Sequence, residues 1–124
     1  MSGIRLTVLT FAVAVAAACL PVQASGASVL PDESPIEIVL TEYAFGPAEP
    51  AVAAGSIRLR IVNGGIRRHN LVLLVDGVEW ASPAVRPGDV GEWEIQIERP
   101  GRYQFWCGEY RHLEKGMVGA LIAE

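Results

Sequence analysis

From residue 36 to the last residue, apolar side chains recur at every second position in short runs, and Gly, Pro, Asn or Asp interrupts each run. A period of two puts alternate side chains on opposite faces, which is the pattern of a half-buried strand. Ile36, Ile38 and Leu40 form the first run, and Gly46-Pro47-Ala48-Glu49-Pro50 breaks it. Ile57, Leu59 and Ile61 alternate with Arg58 and Arg60, and Asn63-Gly64-Gly65 supplies a turn. Residues 70–75 are continuously apolar after Asn70, as expected of a strand covered on both faces. Asp76-Gly77 and Pro87-Gly88-Asp89 are further turn signals. Trp93, Ile95 and Ile97 alternate with Glu92, Glu94, Gln96 and Glu98, the cleanest strand of the chain. Pro100-Gly101 then turns into Tyr103, Phe105 and Cys107 on one face, and residues 118–123 close the series. No ten-residue window of this region has convincing helical periodicity. About seven to eight short strands predict an all-β fold, a Greek-key β-sandwich, as one domain over residues 36–124.

The N-terminus has a different composition. Arg5 precedes an apolar run from Leu6 to Leu20, and Val22 and Ala24 occupy the small-residue positions of a cleavage site. Residues 1–24 are therefore expected to be a signal peptide, with residues 25–35 a flexible leader and the domain exported to the periplasm or secreted. The run is short for a bilayer span, so no membrane span is expected after processing. A lipid anchor on Cys19, which follows Ala16-Ala17-Ala18, is the alternative that leaves the domain tethered. The chain carries 10 Lys+Arg against 14 Asp+Glu, a net charge of −4, which argues against a nucleic-acid partner.

A cut after Ala24 leaves Cys107 as the sole cysteine, so no disulfide can staple the domain. A lone thiol in a small exported domain needs another reason. Beyond the leader, the side chains with soft or imidazole donors are His69, Cys107, His112 and Met117. Three of them stand in a C-x4-H-x4-M spacing, where a strand ends, a loop crosses and the next strand begins. Each residue alone has an ordinary explanation: a Cys or Met as core filler, a His as a structural group. Together, a thiolate, two imidazoles and a thioether form the donor set of a mononuclear blue-copper site, with two imidazoles and the thiolate in a trigonal plane and a long axial thioether. Zinc would take the thiolate and imidazoles but gain little from the thioether. A binuclear copper site needs a second Cys near Cys107, yet residue 103 is Tyr and residue 111 is Arg.

The segment Gly101-x-Tyr103-x-Phe105-Trp106-Cys107, followed by His112 and Gly116-Met117-Val118-Gly119, resembles the C-terminal copper loop of the cupredoxins, the plastocyanin/azurin-like proteins. Phe45-x-Pro47, Ala54-Gly55-Ser56 and His69-Asn70 resemble their N-terminal half. The resemblance implies a cupredoxin-like sandwich with one type 1 copper, held strongly by His69, Cys107 and His112 and axially by Met117. It also implies that Asn70 braces the copper loops. Many members offer Asn70's counterpart a Ser or Thr after the Cys, whereas this chain has Gly108. Tyr110-Arg111-His112 replaces the common Pro-Gly-His pattern.

These residues favour a non-enzymatic, monomeric carrier of single electrons. His112 is the expected electron port, and redox proteins would dock at the copper end. Arg67, Arg68, Arg111 and Lys115 flank the ligands, while acids crowd the strand of Glu92, Glu94 and Glu98, so a dipolar molecule steered to an acidic partner is expected. The runner-up is a periplasmic copper-handling or chaperone protein using the same ligands. A Cys-His hydrolase lacks an evident third partner and leaves Met117 unexplained. A metal-free adhesive sandwich predicts that Cys107→Ala leaves the protein fully functional.

Overall fold

The computed structural model describes residues 34–124 and the isolated positions 3, 12 and 14. The expected signal peptide over 1–24 and leader over 25–35 otherwise lie outside the described residues. The strands are β1 (Ile36–Thr41), β2 (Ala44–Gly46), β3 (Ala51–Val52), β4 (Gly55–Asn63), β5 (Val72–Val75), β6 (Val78–Ala81), β7 (Val90–Ile97), β8 (Gly101–Trp106) and β9 (Val118–Ala123). One 3-10 turn, Leu113–Lys115, interrupts the loop between β8 and β9.

Two sheets stack face to face. One has the order β2-β1-β4-β7 and the other β3-β9-β8-β5-β6. β1 pairs with β4 in parallel, and β3 with β9 in parallel, while the remaining pairs are antiparallel. The alternation read from the sequence becomes the inner face of the sandwich. Ile38, Leu40, Ile57, Leu59, Ile61, Ile95 and Ile97 come from one sheet. Leu73, Phe105 and Leu121 meet them from the other. Phe45 and Phe105 lie edge to face with centroids 4.9 Å apart. Gly119 lets the Phe105 ring and the Ala48 carbonyl approach its backbone so closely that a Cβ would collide with both.

Three strands have no clear counterpart in the alternation. β2 and β3 are three and two residues long, and β6 is exposed at all four positions. β5 also starts later than the apolar run suggests. Residues 69–71 pair instead with 82–85: His69 and Val85 exchange backbone hydrogen bonds, Ser82 N donates to Leu71 O, and Leu71 N donates to Ser82 Oγ. That detour takes His69 out of the regular ladder. It leaves the residue at the end of the sandwich where β4 and β8 finish and β9 begins. Val72 is in register with Trp106, and Trp106 with Val118.

The expected acidic face of β7 is partly balanced. β4 sets Arg58 opposite Glu94 and Arg60 opposite Glu92. Opposite charges in register support each other weakly, and they reduce the polarity expected along the molecule.

Candidate metal centre

Four buried side chains converge beyond the ends of β4 and β8. His69 and Met117 are fully buried, and Cys107 and His112 nearly so. One donor atom each from His69, Cys107 and His112 lies within 4.8 Å of the others. Cys107 Sγ is 3.8 Å from His69 Nδ1 and 3.4 Å from His112 Nδ1. Ligand bonds of about 2.0 Å to nitrogen and 2.3 Å to sulfur, opened trigonally, separate the two donors by about 3.7 Å. The spacing therefore suits one metal ion between them.

Local backbone bonds explain why these atoms meet. Cys107 follows β8 directly, and its N–H donates to Met117 O, which holds both ends of the ligand loop together. His112 N donates to Glu109 O, Met117 N donates to His112 O, and Gly116 closes the 3-10 turn in a left-handed conformation, φ 85°. On the other side, buried Asn63 ends β4 and ties the next loop down. Its Nδ2 donates to Arg67 O and Val85 O, and its Oδ1 accepts from Gly65 N. Asn70 Oδ1 accepts from Gly108 N at 2.7 Å and lies 3.8 Å from Cys107 Sγ. Asn70 thus joins the loop after His69 to the loop after Cys107 through a backbone N–H in place of a hydroxyl. A Cβ at Gly108 would press on Val72 and Asn70, so the glycine suits this closer union.

Burial pushes the Cys107 thiol up, although backbone N–H groups of Asn70 and Glu109 favour the thiolate. A thiolate there forms when a cation replaces the proton. Burial first, and then the neighbouring His69, pull His112 down. That shift favours the neutral imidazole, the form that binds metals. Buried soft and imidazole donors with a thioether beside them match redox copper better than zinc.

Three residues around the donors are not marked as such by the sequence. Tyr43 packs edge-on to His112 with centroids 5.3 Å apart, and Lys115 Nζ donates to its hydroxyl at 2.9 Å. Glu42, its chain neighbour, accepts from the N–H groups of Ile66 and Arg67. The Ile66 bond above all holds the Glu42 carboxyl below its ordinary range. Asn63 is legible only as a turn residue, through its neighbours Gly64-Gly65. Nothing in the sequence points to Glu42 or Tyr43.

Arg111 adopts φ 62°, a left-handed conformation that costs a non-glycine residue about 1–2 kcal/mol. Arg111→Gly is therefore expected to raise stability, by up to about 1 kcal/mol after the glycine's greater chain entropy is subtracted. Its exposed pairing with Glu114 adds little to hold it. Denaturant melts of the metal-free variant check the sign; a fall in midpoint would mean that the side chain, not the backbone, dominates.

A two-sheet sandwich with two His, one Cys and one Met buried together at one end has the fold and the donor set of a small mononuclear copper protein. The model of the cupredoxin-like domain matches residues 7–123, and the chain belongs to that family. Reduced auracyanin from Roseiflexus castenholzii superposes with a TM-score of 0.64 at 22% identity, covering 72% of this chain and 95% of that one. Auracyanin A from Chloroflexus aurantiacus, a "blue" copper protein, gives 0.61 at 20% identity, covering 73% and 100%. A purple cupredoxin from Nitrosopumilus maritimus gives 0.55 at 20% identity, covering 72% and 99%. No curated protein matches the chain. At these identities the structural likeness speaks for the fold; the donors speak for the site.

Proposed function

We propose that this protein carries single electrons, exported and monomeric, on one type 1 copper held by His69, Cys107 and His112 with Met117 as the axial ligand. The observation that carries the reading is the buried triad of donors within 4.8 Å of one another, backed by buried Met117. Copper held there supplies a one-electron couple between Cu(II) and Cu(I). The chain does the rest. It fixes imidazole and soft sulfur donors together in advance, so that neither oxidation state needs a large rearrangement. It also excludes water from three of the four donors almost completely.

His112 is the least buried of the four, and exposed Tyr110 and Leu113 flank it in the chain. Exposed Ile66 stands on the loop that leads to His69. This supports His112 as the electron port, with apolar side chains nearby that a partner can cover. The surrounding charges are less simple than the sequence suggests. Arg68 pairs with Glu109, and Arg111 with Glu114. Arg67 and Lys115 have no ion pair among the described residues, and Lys115 Nζ meets the Tyr43 hydroxyl. Two cations are thus left to steer an acidic redox partner.

A surface cavity of about 400 Å3 lies at the starts of β1 and β4, walled by Ile36, Val52 and Ile57, away from the donors. No helix among the described residues is long and apolar enough to cross a membrane. The export reading rests on the signal-like composition of residues 1–24.

The test is a visible and EPR titration of residues 25–124 with Cu(II). One equivalent should give a strong thiolate-to-copper band that ascorbate bleaches reversibly. Copper uptake without that band would transfer support to a copper-handling role. Electron exchange with an acidic redox protein should slow as salt rises, because screening weakens the steering. A rate indifferent to ionic strength would remove the acidic-partner element.

A further inference from the structure

The two imidazoles have unequal surroundings. Nε2 of His69 is buried and has no hydrogen-bond partner among the described residues. A buried ring nitrogen left unpaired is costly, and one carrying a proton needs an acceptor. The carboxylate facing it is Glu42, whose Oε1 lies 3.6 Å from Nε2, slightly beyond hydrogen-bond length. Glu42 belongs to the turn between β1 and β2, far in sequence from every donor.

That carboxylate is itself held in place. Ile66 N and Arg67 N donate to Oε1, so the loop leading to His69 grips it from one side. A carboxylate offers about four lone-pair sites over two oxygens, so room remains for a third donor. Gly65 borders it closely: a Cβ there would collide with the Glu42 carboxylate. The approach depends on that missing side chain. The next residue, Tyr43, takes φ 63° and turns its ring onto His112. Consecutive residues of one turn therefore reach both imidazoles.

We propose that Glu42 is a positioning residue for the metal centre: it accepts a hydrogen bond from His69 Nε2–H, which fixes the tautomer that leaves Nδ1 free to face Cys107. The inference rests on the copper reading above for its purpose but not for its test. The ring nitrogen that binds a metal is set by the bond the other nitrogen makes. His69 Nδ1 faces Cys107 Sγ, so Nε2 must carry the proton for the site to be ready. A 3.6 Å separation closes to a hydrogen bond with a small rotation of the carboxylate. Glu42 then binds the entry loop and orients the ligand at once.

The experiment is 15N NMR of the His69 ring in the metal-free protein, paired with a copper-competition assay. Native protein should show a protonated Nε2 and an unprotonated Nδ1. Glu42→Ala should mix the tautomers, drawing the two ring shifts together, and weaken copper binding about 10- to 100-fold. Glu42→Gln should keep most of both properties, since its amide oxygen still accepts. Gly65→Ala retains the carboxylate but displaces it, and should move the ring shifts in the same direction as Glu42→Ala. An unchanged His69 ring in Glu42→Ala overturns the proposal, even if copper binding falls, for then Glu42 only pins the loop. Failure of the native protein to bind copper would count against the function and leave the ring measurement to decide the role of Glu42.

Discussion

Cys107→Ala is expected to abolish the thiolate-to-copper absorption completely while leaving the sandwich folded. The sulfur lies 3.8 and 3.4 Å from the Nδ1 atoms of the two imidazoles, and no other cysteine is described near it. An intense visible band requires that sulfur, so neither His69 nor His112 can replace it. The fold loses less. Cys107 behaves in packing terms as a small buried hydrophobe, and its N–H to Met117 O bond belongs to the backbone. A stability change of about 1 kcal/mol is expected, the size of one small buried group removed. Visible and EPR spectra of the copper-loaded variant, with circular dichroism for the fold, make the comparison. A surviving band would remove Cys107 from the ligand set.

The second large effect lies in packing. Phe105→Ala should cost about 3–5 kcal/mol, the range for emptying a fully buried aromatic site. Domains of this kind hold about 5–15 kcal/mol in total, so the variant sits near its folding limit. The ring is fully buried, lies edge to face on Phe45, and rests over Gly119, whose bare backbone cannot fill the void. The melting temperature should fall on the order of 20 °C. The cavity opens two residues before Cys107, so copper affinity should fall with stability. A fall of less than about 1 kcal/mol would show that neighbours collapse into the site.

The strands that one can read from the chain are those with one wet face and one dry face. β7 is the clearest, because Glu92 and Glu94 are exposed while Ile95 and Ile97 are buried. β6 gives no such signal: Val78 and Trp80 are exposed along with Glu79, so neither face of the strand is dry. The donors are legible for a chemical reason. Soft sulfur and imidazole donors are scarce, so four such side chains in one domain stand out. Glu42 is hidden for the converse reason. It is one of 14 acids, and only the folded turn shows which ring it faces. The left-handed Arg111 is equally hidden, because a turn residue is expected to be Gly or Asn there. The brace by Asn70 is half visible. Its partner atom is a backbone N–H, which every residue but proline offers and no sequence displays.

β9 lies between β3 and β8, inside its sheet, although it is the last strand in chain order. Assembly of that sheet therefore has to wait for residues 118–123 to be synthesised. Met117 arrives with them, so the donor set and the core are completed in the same step. A ribosome-bound fragment ending before β9 has the thiol and both imidazoles but no closed sheet to hold them. It has little means of choosing among metals. Selection belongs to the folded chain.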